Sequence, residues 1–371
     1  MDTAIGIIGC GTISSAYLRT LTKTPGVRVA AVADLDLARA RAQARGFDIP
    51  DAVGPTALLA REDLELIVDL TIPAAHFDIN RLALEAGKAV YSEKPLAASA
   101  AEARTLVALA HARGLALGGA PDTFLGSGLQ TARAALDDGA IGRPFAAVAH
   151  MISRGPESWH PDPGFLYQPG AGPLLDMGPY YVTALVSLLG PIASVIADGS
   201  RTWPVRTIGS GPLAGRTVPV DVDTHVTVLL RFVSGAVATL LTTFDVTASD
   251  LPRFEVFGEE GTLALPDPNT FAGPVRLRHE GDVAWREVAP VPGFGGDARG
   301  IGALELRLAT AAGRPPRASG ELASHVLDVL EGALTAIRSG QRVAIDSRPP
   351  RPAALTIEEL PALGWTPEVP A

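Results

Sequence analysis

A short apolar run, Ile5, Ile7 and Ile8, leads straight into Gly9-Cys10-Gly11-Thr12-Ile13-Ser14, and Asp34 closes a second apolar run over residues 27–33. That order is restrictive. A strand that turns at once into a helix needs backbone freedom, which Gly9 supplies. Gly11 leaves bare backbone for a ligand to approach, and Ser14 is small enough for the new helix to pack on the strand. The helix amides then face whatever sits over the turn and favour an anion. Asp34, 23 residues after Gly11, stands where a carboxylate accepts from ribose hydroxyls and repels a 2′-phosphate. The pattern predicts a dinucleotide site held by Gly9, Gly11, Thr12, Ile13 and Asp34, with NAD favoured over NADP.

Up to about residue 120 short apolar runs alternate with Ala-rich helical stretches. Strands are expected at 3–8, 27–33, 65–70, 88–91 and 115–118, and helices near 12–23, 36–45, 75–86 and 99–112. Such alternation predicts an α/β fold with a parallel, doubly wound Rossmann sheet. After Pro121 the character changes. Runs at 145–152, 193–200, 222–232, 235–244 and 252–257 predict a largely antiparallel sheet, with helices near 127–138, 178–189, 301–312 and 319–338. The Pro/Gly-rich stretches 201–219 and 266–298 read as surface loops. The expected division is 1–120 for the dinucleotide, 121–346 for substrate and assembly, and an extended tail over 347–371.

At 371 residues, with 47% hydrophobic and 19% charged, the chain has core enough for two such units. A net charge of −9 with no Lys/Arg block argues against nucleic acid or an anionic membrane as partner, and leaves a small, weakly polar substrate. The single cysteine, Cys10, forbids an internal disulfide. Asp2 sits where a secretion signal needs positive charge, and the apolar stretch 182–197 is broken by Gly190-Pro191, so a cytoplasmic protein is expected. No histidine pair has metal-ligand spacing, and no metal is assigned.

Glu93-Lys94-Pro95 falls at the carboxyl end of a predicted strand, where open α/β sheets bind ligands. Pro95 holds the residues before it extended and aims Lys94 at the cleft. Beside a cationic nicotinamide a partly buried lysine loses proton affinity, and Lys94 is expected to exchange a proton with a substrate hydroxyl. Pro179 places the start of the next helix near Gly178, which makes Asp176 either a cap or a partner of Tyr180. In a chain with 5% aromatics, Trp159, His160, Phe165 and Tyr167 crowd one loop. They either offer flat faces to a sugar ring or anchor the loop.

The glycine turn, Asp34, Thr71-Ile72-Pro73-Ala74-Ala75-His76, Glu93-Lys94-Pro95 and the Gly-rich segment 170–181 together resemble the glucose-fructose oxidoreductase/inositol dehydrogenase/rhizopine-catabolism (Gfo/Idh/MocA) family, over at least residues 3–245. The resemblance implies a Rossmann domain followed by an α/β domain with a large open sheet. It also implies NAD(P), chemistry at a carbinol of a sugar or cyclitol, and dimers or tetramers joined through those sheets. By position, Lys94 matches the lysine beside the nicotinamide and the reacting hydroxyl, Pro95 its positioning proline, and Asp176 the acid of the Gly-rich motif. Tyr180 stands where most members carry histidine, as in a tyrosine-bearing subset. A phenol, with an ordinary pKa of ~10, needs a nearby cation to move protons, and Lys94 is the expected one. Thr71 and Pro73 are expected to line the nicotinamide ribose through backbone, beside Glu93. His76 either braces that loop or starts a helix, and Asp223 or His225 would reach the cleft from the sheet.

The resulting expectation is an NAD-dependent dehydrogenase or ketoreductase of a sugar, glycoside or cyclitol. Lys94 and Tyr180 handle the proton, Asp176 orients them, and Trp159 and His160 help hold substrate. His160 is the rival proton carrier. An NAD-dependent glycosidase that oxidises transiently is the alternative enzyme. A non-catalytic NAD- and sugar-sensing protein is the third reading, against which retention of Lys94 and Tyr180 weighs.

Overall fold

The computed structural model describes residues 3–366; Met1, Asp2 and residues 367–371 at the end of the tail lie outside the described residues. Three buried apolar runs form the heart of the first sheet: β1 (Thr3–Ile8), β2 (Val27–Ala33) and β4 (Leu66–Asp69). With β3 (Asp51–Val53), β5 (Ala89–Ser92) and β6 (Leu117–Gly119) they give a six-stranded parallel sheet, order β3-β2-β1-β4-β5-β6. The connecting helices are α1 (Ser14–Leu21), α2 (Leu37–Gly46), α3 (Pro55–Leu59), α4 (Pro73–Glu85) and α5 (Ala100–Arg113). The chain reverses direction across the sheet between β1 and β4, and a crevice opens there beyond the strands' carboxyl ends.

The rest builds a second, nine-stranded sheet. The elements of this half in chain order are α6 (Ser127–Asp137), β7 (Pro144–Ile152), α7 (Gly172–Leu189), β8 (Ile192–Ser200), β9 (Val205–Thr207) and β10 (Thr217–Pro219), which pair only with each other, β11 (His225–Phe232) and β12 (Val237–Thr243). They continue with β13 (Phe254–Gly258), β14 (Gly261–Ala264), β15 (Arg276–His279), β16 (Arg286–Glu287), α8 (Ile301–Ala311), α9 (Gly320–Ser339) and β17 (Val343–Ala344). The order β16-β15-β14-β13-β7-β12-β11-β8-β17 is antiparallel except where β12 runs alongside β7. One face is covered by α7 and α9, which bury Val182, Leu185, Val326 and Leu330 against it. On β11 the alternation leaves Thr227, Leu229 and Arg231 outward. Helix α9 also packs on α5 and β6, tying the two sheets together.

Three expectations change. Helix α7 begins at Gly172 with Pro173 in its first turn, and Pro179 lies inside it. Asp176 is therefore not a cap but sits one turn before Tyr180 on the same helix. The stretch 201–219 holds the β9–β10 hairpin, and β15 and β16 lie within 266–298. These strands are short and largely exposed, with little apolar periodicity to betray them. The described part of the tail is anchored rather than merely laid on the body. Arg317 donates to the carbonyls of Ala353 and Ala354 and to Glu359, and Leu360 and Leu363 are buried.

Candidate active site

The turn after β1 is a backbone cradle. Gly9 has φ +99°, and a Cβ there would stand 2.5 Å from the Leu70 carbonyl carbon and oxygen. A Cβ on Gly11 would meet nothing within 4 Å, so that side of the turn faces open space. Asp34 accepts from Cys10 N–H at 2.9 Å and from Asp36 N–H at 2.8 Å, which fixes its carboxylate over the turn. Arg39 lies 3.8 Å from it. Ser14 is buried and donates to the Gly11 carbonyl, while Thr12 is exposed and Ile13 half-buried beside them. These features fit a dinucleotide: a tight turn with open space at Gly11, a helix N-terminus behind it and a ribose-height carboxylate. Cys10 is buried packing, and burial pushes its thiol up to about 12.

Two loops frame the next part of the crevice. Thr71 turns its N–H and hydroxyl inward to Asp69 at 3.0 and 2.7 Å, while Ile72 and Pro73 are exposed. His76 is fully buried in α4, its ring nitrogens 2.6 Å from the Pro95 carbonyl and 3.0 Å from that of Thr71. It therefore braces the 71–73 loop against the Lys94-Pro95 turn, whose peptide is cis. Glu93 is engaged inside: Tyr17 donates to one carboxylate oxygen at 2.9 Å and Lys94 N–H to the other at 2.8 Å. Its side chain holds the turn in place, where a direct cofactor contact was expected.

Lys94 meets α7. Its Nζ donates to Asp176 Oδ1 at 2.8 Å and to the Asp176 carbonyl at 2.6 Å, and lies over the Tyr180 ring, 5.4 Å from its centroid. Burial disfavours the Lys94 ammonium, yet Asp176, Tyr180 and Glu93 outweigh it and raise its proton affinity above that of a free lysine. Burial likewise holds the Tyr180 phenol above its ordinary range, with Lys94 and Arg299 pulling the other way.

The loop before α7 divides. Tyr167 is buried with its ring against Phe244, whereas Trp159 and Phe165 are 68% and 60% exposed. His160 stacks edge-on with both, at 5.5 and 5.4 Å, and takes Asp162 N–H at Nδ1. Among the described residues no hydrogen bond or ring contact joins His160 to Lys94, Asp176 or Tyr180. Asp223 precedes β11 and lines a different cavity with Arg201 and Arg338, and His225 is half-buried at the strand's start. Sequence reasoning missed Tyr17, Asp122 and Arg299. Asp122 is buried and accepts from Gly300 and Gly302 N–H at 2.8 and 3.0 Å, fixing the backbone next to Arg299, whose charge lowers the proton affinity of the Tyr180 phenol. A lone Tyr, Asp or Arg in unrelated segments leaves no local pattern.

Residues 3–119 match the oxidoreductase family with an NAD-binding Rossmann fold, and residues 129–264 match the GFO/IDH/MocA C-terminal domain. Trans-1,2-dihydrobenzene-1,2-diol dehydrogenase of Bos taurus is 30% identical over 78% of this chain and 81% of its own length. The chain belongs to the Gfo/Idh/MocA oxidoreductase family. An NAD binding oxidoreductase from Klebsiella pneumoniae shares the fold with a TM-score of 0.81 at 22% identity, covering 93% of this chain and 99% of that one. Levoglucosan dehydrogenase, solved with NADH and levoglucosan, does so with 0.80 at 21% identity, over 93% of this chain and 100% of that one. The Gfo/Idh/MocA chain described here is thus an oxidoreductase with NAD as its cofactor. Among the described residues no helix is long and apolar enough to cross a membrane, and no cluster of three or more His, Cys, Asp or Glu is placed to hold a metal.

Proposed function

We propose that this oxidoreductase interconverts a carbinol and a ketone on a sugar, glycoside, cyclitol or related diol, with Tyr180 carrying the hydroxyl proton. NAD, held by Gly9, Gly11, Thr12, Ile13, Asp34 and the 71–73 loop, supplies or accepts the hydride. The observation that carries this reading is the Lys94–Asp176 ion pair at 2.8 Å directly against the Tyr180 ring. Asp176 keeps Lys94 charged, so Lys94 stabilises oxyanion character at the reacting oxygen without itself leaving its proton behind. Tyr180, half-buried and neutral at rest, passes a proton to or from that oxygen. The exposed Trp159 and Phe165, stacked on the half-buried His160 ahead of α7, offer a flat face to the substrate ring. Residues 1–120 are the cofactor unit, 121–346 the substrate and assembly unit, and 347–371 the tail. Two or four copies join through the outward face of the large sheet, where Leu229 stands 37% exposed, and the assembly works in the cytoplasm.

The test is a panel of sugars, cyclitols and diols followed by nicotinamide absorbance with NAD and with NADP. Net turnover with NAD on a member of the panel supports the proposal. Sugar release without net nicotinamide turnover identifies a glycosidase instead, and NAD binding without turnover anywhere on the panel identifies a sensor.

A further inference from the structure

We propose that His76 is a positioning residue that works as an imidazolium, with the buried carboxylate of Asp69 as its counter-charge. A proton then holds together the two loops that frame the nicotinamide end of the crevice. The inference rests on the reading that the 71–73 loop borders the nicotinamide, and it goes beyond the bracing contact itself. Both ring nitrogens of His76 face backbone carbonyls, Nδ1 at 2.6 Å from that of Pro95 and Nε2 at 3.0 Å from that of Thr71. A carbonyl oxygen only accepts. A neutral imidazole has one N–H and one bare nitrogen, so in that form one of the two contacts sets lone pair against lone pair. The doubly protonated ring donates to both.

A second proton in this place needs a counter-charge. His76 is fully buried at the start of α4, where the helix amides disfavour a cation. Asp69, at the end of β4, is fully buried too. Its Oδ1 accepts the N–H and the hydroxyl of Thr71 at 3.0 and 2.7 Å, whereas its Oδ2 has no hydrogen-bond partner among the described residues. Two donors on one oxygen favour the ionised carboxylate. The two side chains thus hold Thr71 from both ends, Asp69 at its N–H and hydroxyl and His76 at its carbonyl. Burial raises the proton affinity of the Asp69 carboxyl, and the charge of His76 is the strongest pull the other way. The other charged groups beside the Pro95 turn are already engaged, Glu93 with Tyr17 and the Lys94 N–H, and the Lys94 ammonium with Asp176. Helix α5, packed on α4, buries Ala100, Ala103, Leu106 and Ala110, none of which carries charge.

The experiment uses full-length protein labelled with ¹⁵N at histidine and long-range ¹H–¹⁵N spectra at neutral pH. The His76 ring is assigned by its loss in His76→Gln or, should that variant not fold, by eliminating the other histidines in turn. Both of its nitrogens should carry a proton, and in Asp69→Asn one of them should become bare at the same pH. Titration of the native protein with NAD should show affinity falling about tenfold as pH rises and the second proton leaves, because a charge-assisted hydrogen bond to the loop is lost. His76→Gln, which cannot gain or lose that proton, should bind NAD weakly and without this dependence. A bare nitrogen on His76 in the native protein at neutral pH overturns the proposal, and so does a ring that keeps both protons in Asp69→Asn. The native spectrum decides alone if Asp69→Asn does not fold. A doubly protonated ring together with NAD affinity that ignores pH upholds the imidazolium and overturns the placement of the 71–73 loop at the nicotinamide instead.

Discussion

At the cofactor end the cleft is made of backbone, a turn of Gly9 to Ser14 with one carboxylate at Asp34, all within 26 residues of chain. At the reacting end it is made of side chains drawn from four distant segments: Glu93 and Lys94, Asp122, Asp176 and Tyr180, and Arg299. The first kind of site depends on what is missing, a Cβ at Gly9 and anything at all above Gly11. The second depends on charges neutralising one another in a buried place. A backbone site should therefore fail through sterics and affinity, and a side-chain site through rate and pH.

The largest effect is expected where the side-chain end is cut. Lys94→Ala leaves Asp176 unpaired and removes the cation, and turnover should fall about 10²- to 10⁴-fold, worth about 3–5 kcal/mol at the barrier. NAD affinity should be retained, as measured by fluorescence titration. Near-native turnover would make Lys94 a structural residue and erase the contrast between the two ends.

Stability against pH should separate two regions next. His325, on α9, takes Ile192 N–H at 3.0 Å as a neutral imidazole, and burial lowers its pKa to about 4. The unfolded chain then binds more protons between pH 4 and 6.5, so this contribution is present above about 6.5 and is lost on acidification, about 3 kcal/mol in all. Asp122 behind the reacting end is shifted the other way, burial raising it to about 6. Its contribution is present below about 4 and is lost as pH rises through 6, again by about 3 kcal/mol. Urea unfolding of His325→Gln and Asp122→Asn across pH 4–7 should change the slope in opposite senses. Parallel slopes would show that one of the two groups is solvated.

The cofactor end is tested by two glycines. Gly9→Ala puts a methyl group against the Leu70 backbone in a left-handed conformation and should cost at least about 2 kcal/mol of stability, read by urea unfolding. Gly11→Ala should fold normally and lose dinucleotide affinity alone. If both variants unfold alike, the turn is only structural. The smallest effect is expected at Asp34. Asp34→Ala should weaken NAD binding by about 1–3 kcal/mol, the range for stranding a hydroxyl once paired with a charge. Unaltered affinity would remove Asp34 from the site.

The same difference explains how much was legible beforehand. Gly9, Gly11 and Asp34 announce themselves because a backbone site is contiguous and its spacing is set by one strand-helix-strand unit. Long buried strands such as β1, β2 and β11 were equally legible from their apolar runs. The start of α7 was misplaced because Pro179 reads as a helix beginning, although Pro173 sits six residues earlier, in the helix's true first turn. Residues such as Arg299 and Tyr17 act only through partners far away in sequence, and no local periodicity marks them. The proton affinity of Lys94 could not be read either, since its sign depends on Asp176 lying within 2.8 Å.

The most direct measurement compares the pH–rate profiles of Tyr180→Phe and His160→Ala on one substrate the native protein turns over. Tyr180→Phe keeps the ring and removes only the hydroxyl, so folding and NAD affinity should persist while turnover falls about 10²- to 10⁴-fold. His160→Ala, altering a half-buried ring with no contact to the cluster, should leave the profile close to native. A Tyr180→Phe enzyme with native turnover, or a His160→Ala enzyme that loses its acid limb, would contradict the assignment of the proton to Tyr180.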